Sequence, residues 1–255
     1  MKKAFDPILN KLITVSDFDQ QYGQYINQYQ KVNRVLHDIL CPACGAKMSP
    51  VDRNSVKRDP TWSHPHDNEF CVLKDFGKTK YEMLKPNDPD LANANLVKLS
   101  FFNNWERHWG LIQKFAPMTD IFLFIAWIRE LNNKNIWAYR GLLEWHLPYI
   151  FLTTCEFPPP TNIKARSVRS TWIRFYYSNR VRTLEDIWIR VNEDWSILKL
   201  TFQAPCSSKA KPSESDLLEH ENIKPDLNWL FENQFLQPNK FQVEKMMASF
   251  PNQFN

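Results

Sequence analysis

The sequence predicts an α+β fold in which a helical middle is followed by a short antiparallel β-sheet. Between residues 98 and 115, large apolar side chains recur every three or four positions, which is the spacing of an α-helix. Residues 171–177 and 197–202 are instead dense in the β-branched and aromatic residues that favour strands. We therefore expect helices first and a sheet after them, with further helices at both ends of the chain.

The bulk composition indicates a folded protein and excludes several kinds of site. Hydrophobic residues make up 43% of the 255 residues and charged residues 24%, which is typical of a globular chain. The sequence has neither GxGxxG nor GxxxxGK followed by Ser or Thr, so the common nucleotide-binding fingerprints are excluded. The first fifteen residues lack the apolar core of a secretion signal, and the apolar run Ile121–Ile128 is too short to cross a bilayer. We expect a cytoplasmic protein with no membrane partner.

Residues 1–40 are predicted to form an N-terminal helical arm. Ser16 or Asp17 offers an N-cap for a helix that runs to about Asp38. The apolar residues of this segment recur at steps of three and four: Tyr22, Ile26, Tyr29, Val32, Leu36 and Ile39. We expect this face to dock the helix on the rest of the chain, and binding of a partner protein is the alternative.

Two consecutive helices are predicted in the middle of the chain. Pro117 ends the first one, and Thr119 or Asp120 begins the next. The run from Ile121 to Leu131 is apolar nearly all round, which predicts a centrally buried helix.

A third helix is expected from about Lys134 to Leu147, where Pro148 kinks or ends it. Two histidines, His108 and His146, fall on the predicted helices and are candidates for catalysis. No serine or cysteine with a recognisable nucleophile motif accompanies them in the sequence. We interpret both as rings that pack on helix faces.

The predicted sheet has about three antiparallel strands. Residues 171–177 form the first strand, and residues 178–180 form a turn. Residues 187–191 and 197–202 flank Asn192-Glu193-Asp194, which predicts a hairpin. The helices and this sheet together complete the α+β prediction.

Three of the five cysteines lie between residues 41 and 71. Cys41 and Cys44 have the CxxC spacing that lets a tight turn point both sulfurs at one ion, and Gly45 gives the turn its conformational freedom. Cys71 offers a third thiolate. A clustered CxxC in a reducing compartment favours a metal over a disulfide.

The fourth ligand of a tetrahedral Zn²⁺ is either His64 or His66. A complete set of three cysteines and one histidine is closed, so we predict a structural zinc. A catalytic zinc is the alternative, because Asp67 and Glu69 are close in sequence, and unlinked reduced cysteines are a further one.

This segment resembles the N-terminal zinc-ribbon-like segment of CoiA-like competence proteins and related zinc-ribbon proteins. The matching positions are Cys41, Pro42, Cys44 and Gly45, followed by Trp62, His64, His66 and Cys71. The resemblance covers about 35 residues of the chain. The resemblance implies zinc binding, and we infer no enzymatic activity from it.

These observations divide the chain into three parts. We predict the helical arm at residues 1–40, a zinc-binding module at 41–85 and an α+β main domain at 92–255. Residues 206–225 are rich in Ser, Lys, Glu and Pro, which predicts a mobile loop inside the main domain. A helical C-terminal tail follows this loop and is a second candidate surface for a protein partner.

Positive charge concentrates between residues 161 and 190, where seven cations face only two acidic residues, a net charge of +5. Six of the seven are arginines, which pair with phosphates and stack on bases, and aromatic residues lie between them. On a strand, Trp172, Arg174 and Tyr176 share one face. The predicted nucleic-acid surface contains Lys164, Arg166, Arg169, Trp172, Arg174, Tyr176, Arg180, Arg182 and Arg190. A solvated amphipathic sheet or an acidic protein partner would give the same pattern.

The sequence as a whole favours a zinc-stabilised nucleic-acid-binding protein, with DNA the expected ligand, of a bacterial mobile-element or defence system. A non-catalytic adaptor or structural subunit of a larger protein complex is the first alternative. A metal-dependent hydrolase or nuclease is the second, although no complete catalytic set is visible.

Overall fold

The computed structural model describes residues 1–22, 38–53, 55–64, 71–73, 83–177, 196–205 and 210–254. Within these residues the chain has six α-helices and three small antiparallel sheets, which confirms the predicted α+β fold. Two compact units can be distinguished: Met1–Thr79 with Leu200–Glu221, and Lys80–Lys199 with Asn222–Asn255. The three-part division expected from sequence stays a prediction.

The first unit opens with a β-hairpin of β1 (Ala4–Asp6) and β2 (Lys11–Ile13). The buried Asp6 carboxylate closes the turn by accepting the N–H groups of Ile8 at 2.9 Å and Leu9 at 3.2 Å. An Asp side chain that satisfies the donors of a turn competes with helix formation. The prediction of a helical arm is therefore wrong for these residues.

The helix of this region, α1 (Val15–Tyr22), begins before the predicted caps: Ser16 and Asp17 lie in its first turn, and Thr14 is the residue that caps it. The Thr14 N–H donates to the Asp17 carboxylate at 2.8 Å, and the Asp17 N–H donates to the Thr14 hydroxyl at 3.1 Å. This reciprocal pair starts the helix. Residues 23–37, which hold most of the predicted helix, lie outside the described residues.

A second hairpin in this unit consists of β3 (Ser49–Val51) and β4 (Thr61–Ser63). Trp62 of β4 is 2% exposed. Its ring packs edge-on against Phe18 at 5.6 Å, and its indole N–H donates to the Ile13 carbonyl at 3.1 Å. These contacts fix the end of β4 against the N-terminal hairpin and α1.

The second unit is built on two long helices, α2 (Leu91–Phe115) and α3 (Ile121–Lys134). Asp120 caps α3 by accepting the Phe122 N–H at 2.9 Å, which confirms the predicted restart after Pro117. Phe101, Trp109, Phe124, Ile128 and Leu131 are among the buried core residues of the two helices. One face of α3 is therefore buried in the core, but Phe122 and Ala126 are exposed, so the prediction of a helix buried all round is wrong.

The predicted third helix is wrong, because α3 ends before it and α4 (Leu147–Thr154) begins after it. Asn135 adopts the left-handed conformation at φ 52°, which terminates α3. Two 3₁₀ turns, Ile136–Ala138 and Glu144–His146, occupy the intervening segment. Pro148 lies in the first turn of α4, where its missing N–H costs nothing, so it starts a helix instead of ending one.

The three-stranded sheet has the order β5 (Trp172–Tyr177), β6 (Ile197–Phe202) and β7 (Leu217–Ile223). β5 and β6 confirm the strands predicted at 171–177 and 197–202. The predicted strand at 187–191 and its turns lie outside the described residues.

β7 lies in the segment predicted to be a loop. Only its first and last residues, Leu217 and Ile223, are buried, so the strand is polar along most of its length and lacks a strand-like pattern. The Gln203 N–H donates to the Asp216 carbonyl at 2.8 Å next to the paired strands. The composition of this segment does not predict a strand. It becomes one because it pairs with β6.

The remaining two of the six described α-helices are short: α5 (Ile163–Val168) lies before the sheet, and α6 (Lys240–Ser249) lies in the C-terminal tail. Met246 of α6 is fully buried, and Phe250 after it packs on Phe102 at 5.4 Å. None of the helices in the described part of the chain is long and apolar enough to cross a membrane.

Candidate metal centre

The CxxC segment forms a tight turn in the first unit. The Cys41 N–H donates to the Ala46 carbonyl at 2.8 Å, and the Gly45 N–H donates to the Cys41 carbonyl at 2.9 Å. Gly45 has φ +69°, a conformation that costs a side chain energy, which explains glycine at this position. The Ala43 N–H also points at the Cys41 sulfur, at 3.4 Å. The turn therefore presents sulfur atoms on one side, as the spacing predicts.

The other two ligand residues come from separate segments. His64 directly follows β4, whose position Trp62 fixes. Cys71 is 1% exposed, and its neighbours Val72 and Leu73 are buried as well. The site is thus assembled from the turn, the end of the hairpin and a short buried segment.

Cys41, Cys44, His64 and Cys71 place their ligand atoms within 4.8 Å of one another, close enough to hold a metal ion. The Cys41 and Cys71 sulfurs are 3.6 Å apart, and the Cys44 sulfur is 3.5 Å from His64 Nε2. Zn–S bonds of ~2.3 Å and Zn–N bonds of ~2.05 Å in a tetrahedron would place two sulfurs ~3.8 Å apart and a sulfur and a nitrogen ~3.6 Å apart. The donors fit a tetrahedral ion, and a 3.6 Å separation is too long for a disulfide.

The electrostatics of the cluster favour a thiolate at Cys44. Hydrogen bonds from Cys41 and Cys71 lower the pKa of the Cys44 thiol, whereas hydrogen bonding with Cys44 and Cys71, together with burial, raises the pKa of the Cys41 thiol. Hydrogen bonding to Cys44 and Cys71 raises the pKa of His64 to about 9. Cys41 and Cys71 are buried, whereas Cys44 and His64 are half-buried. A divalent cation would neutralise thiolates that are otherwise crowded together.

The second candidate histidine, His66, lies outside the described residues, and so do Asp67 and Glu69. His64 already completes a set of four donors with the three cysteines. Three thiolates and one imidazole leave no open position in a tetrahedral site.

The predicted nucleic-acid residues fall into three groups. Lys164 and Arg166 of α5 are exposed. Four residues are buried, with 5% to 9% of their surface exposed: Arg169, Trp172, Arg174 and Tyr176. Arg180, Arg182 and Arg190 lie outside the described residues. The structure therefore does not present Trp172, Arg174 and Tyr176 as one exposed face.

The two buried arginines have partners inside the second unit. The Arg169 guanidinium donates to the carbonyls of Pro117 at 2.7 Å and of Phe157 and Thr171 at 2.9 Å each. Arg174 pairs with Glu156 at 3.4 Å. These contacts give both side chains a packing role.

His108 and His146 are both buried. His108 Nε2 is 3.1 Å from the Glu144 carboxylate, which also accepts hydrogen bonds from Ser100 and from Asn104, the latter at 3.0 Å. Ser100, Asn104 and His108 follow one another at four-residue steps on α2, a polar stripe that sequence reasoning overlooked. Burial lowers the pKa of His108, so the network holds a neutral imidazole beside a carboxylate.

No family model matches the chain, and no curated protein or solved structure is significantly similar to it. The resemblance of residues 41–75 to CoiA-like segments accordingly stays a prediction. The geometry of the Cys₃His cluster is the finding on which a functional proposal can rest.

Proposed function

We propose that Cys41, Cys44, His64 and Cys71 bind one structural Zn²⁺ that stabilises the first unit. The observation that carries this proposal is the convergence of four donors at separations near those of a zinc tetrahedron. Soft thiolates with one imidazole in tetrahedral arrangement favour zinc over the harder cations magnesium and calcium.

A structural role follows from the size of the first unit's elements. Its two hairpins have strands of three residues each, and the described part of α1 has eight. Such short elements bury little apolar surface, and small modules of this kind draw folding free energy from a bound metal. An ion at the cluster would join the CxxC turn, the end of β4 and the segment that begins at Cys71.

Metal analysis of the purified protein tests the proposal. We expect one zinc per chain in the wild type and less than a tenth of that in Cys44→Ser. Cys155→Ser is the matched control, because Cys155 is a half-buried cysteine that does not belong to the cluster. The proposal would be contradicted if wild-type protein expressed in zinc-supplemented medium contained no zinc, or if Cys44→Ser contained as much zinc as the wild type.

A pair of histidine variants decides the fourth ligand. Substituting Co²⁺ for zinc reports the ligand set, because the intensity and position of its visible absorption depend on coordination. We expect His64→Gln to change the cobalt spectrum and to weaken metal binding, while His66→Gln leaves both unchanged. The reverse result would assign the fourth position to His66.

Nucleic-acid binding is the second candidate function. It is supported by the net charge of +5 between residues 161 and 190 and by the exposure of Lys164 and Arg166. Each phosphate contact contributes about one unit to the slope of log K against log salt. Lys164→Gln with Arg166→Gln should lower this slope by about two for a DNA duplex. No binding of DNA or RNA at low salt would exclude this function, and a stoichiometric co-purifying protein would favour an adaptor.

A further inference from the structure

A cavity of about 380 Å³ lies in the second unit, between α2 and the segment that precedes α6. Its lining comprises Arg107, Gly110, Leu111, Lys114, Trp229, Glu232, Gln234, Phe235 and Leu236. The volume lies within the range of small-molecule binding sites. The metal cluster belongs to the first unit, so this cavity is a separate feature.

The charged side chains of the cavity favour an anion. Arg107 and Lys114 oppose Glu232, which leaves a net charge of +1 in the lining. Arg107 is held in place, because it donates to the Glu232 carbonyl and its guanidinium lies 4.9 Å from the centre of the Phe235 ring. Lys114 is exposed and lies seven residues later on α2, so both cations are on one side of the helix.

Trp229 provides an independent indication of a ligand. Its side chain is 4% exposed, and its indole N–H is buried without a hydrogen-bond partner among the described residues. A buried donor that lacks a partner costs about 1–3 kcal/mol, and an acceptor in the cavity would remove this cost. His108 packs edge-on against Trp229, with ring centres 4.8 Å apart, and thereby limits the movement of the indole.

The two segments that line the cavity are in close contact at Gly110 of α2. A Cβ atom added at Gly110 would be 2.9 Å from the Leu236 carbonyl and 3.1 Å from the Phe235 ring. Only glycine lets the chain of Phe235 and Leu236 approach α2 this closely. This contact holds the Phe235–Leu236 segment against α2 at the edge of the cavity.

We propose that this cavity binds a small organic anion that carries an apolar ring. The ring packs against the apolar lining, including Leu111 and Phe235. The acidic group of the ligand lies near Lys114 and Arg107 and accepts a hydrogen bond from the indole N–H of Trp229. A cavity with mainly apolar walls and a few convergent polar groups is the usual arrangement of such sites.

Two fluorescent probes of similar shape test the charge requirement. 1-Anilinonaphthalene-8-sulfonate is an aromatic anion, and N-phenyl-1-naphthylamine is its neutral counterpart. We expect the wild type to bind the anionic probe at least about fivefold more tightly than the neutral probe. Lys114→Gln should weaken the anion about fivefold and leave the neutral probe unchanged, whereas Lys98→Gln, on α2 outside the lining, should change neither.

Two further variants locate the binding. Trp229→Phe keeps an aromatic ring and removes the N–H, so it should weaken only the anion, by about fivefold. Gln234→Trp places a large ring at an exposed position of the lining and should abolish binding of both probes. Equal affinities for the two probes, or anion binding that survives both Lys114→Gln and Gln234→Trp, would overturn the proposal. Unchanged urea unfolding curves of the variants would show that each one is folded.

Discussion

Replacing Arg169 by methionine is expected to destabilise the second unit strongly. Arg169 is 7% exposed, and burial lowers its pKa to about 10, so the guanidinium is still charged at pH 7. It joins three parts of the unit through the carbonyls of Pro117, Phe157 and Thr171. Methionine fills part of the volume of the Arg169 side chain, but the three carbonyls lose their hydrogen-bond donor.

The size of the effect follows from two opposing contributions. Three hydrogen bonds from a charged group at ~1.5–3 kcal/mol each give a loss of ~4.5–9 kcal/mol. Removing a buried charge recovers several kcal/mol of desolvation free energy. We therefore expect the free energy of unfolding to fall by ~3 kcal/mol, which is large for a single substitution.

Urea unfolding followed by far-ultraviolet circular dichroism measures this change. Arg166→Met is the matched control, because Arg166 is exposed on α5 and its loss should change stability by less than ~0.5 kcal/mol. Arg169→Lys keeps the charge but lacks the planar fork that reaches three carbonyls, so it should also destabilise. An Arg169→Met protein as stable as wild type that no longer binds DNA would refute the packing role and return Arg169 to the predicted nucleic-acid surface.

Three further perturbations have defined outcomes. Burial lowers the pKa of His146 from 6.5 to about 3, and its Nδ1 accepts the Leu143 N–H, so only the unfolded state gains a proton as pH falls through 6.5. Stability should then drop by up to ~1.4 kcal/mol per pH unit toward pH 4, and urea titrations should find a shallower slope for His146→Gln. Gly110→Ala should cost ~1–3 kcal/mol in the same assay, because the new Cβ meets the Leu236 carbonyl; an unchanged midpoint would contradict the close approach. Chelation by EDTA should abolish hydrogen-exchange protection of the Cys41 N–H, and equal protection with and without EDTA would argue against a structural metal.

Local signals in the sequence were sufficient for several elements. Pro117 and Asp120 mark the end of one helix and the cap of the next, because a missing N–H and a side-chain acceptor act within one turn. The same local reasoning failed at Pro148, since proline is compatible with both the end and the first turn of a helix. It also failed at β7, whose exposed polar residues carry no strand pattern.

The sequence by itself determined the α+β class and the candidate metal ligands around the CxxC turn, because ligand type and spacing are local properties. Tertiary structure decided which residues are accessible. β5 is buried along its whole length, so the Arg174 side chain, which alternation alone would place on an exposed face, pairs with Glu156 instead. The cavity around Trp229 also depends on tertiary contacts, because α2 and the segment after Trp229 are more than a hundred residues apart in sequence. Sequence patterns specify which chemistry a chain carries, and packing between distant segments determines where that chemistry meets solvent.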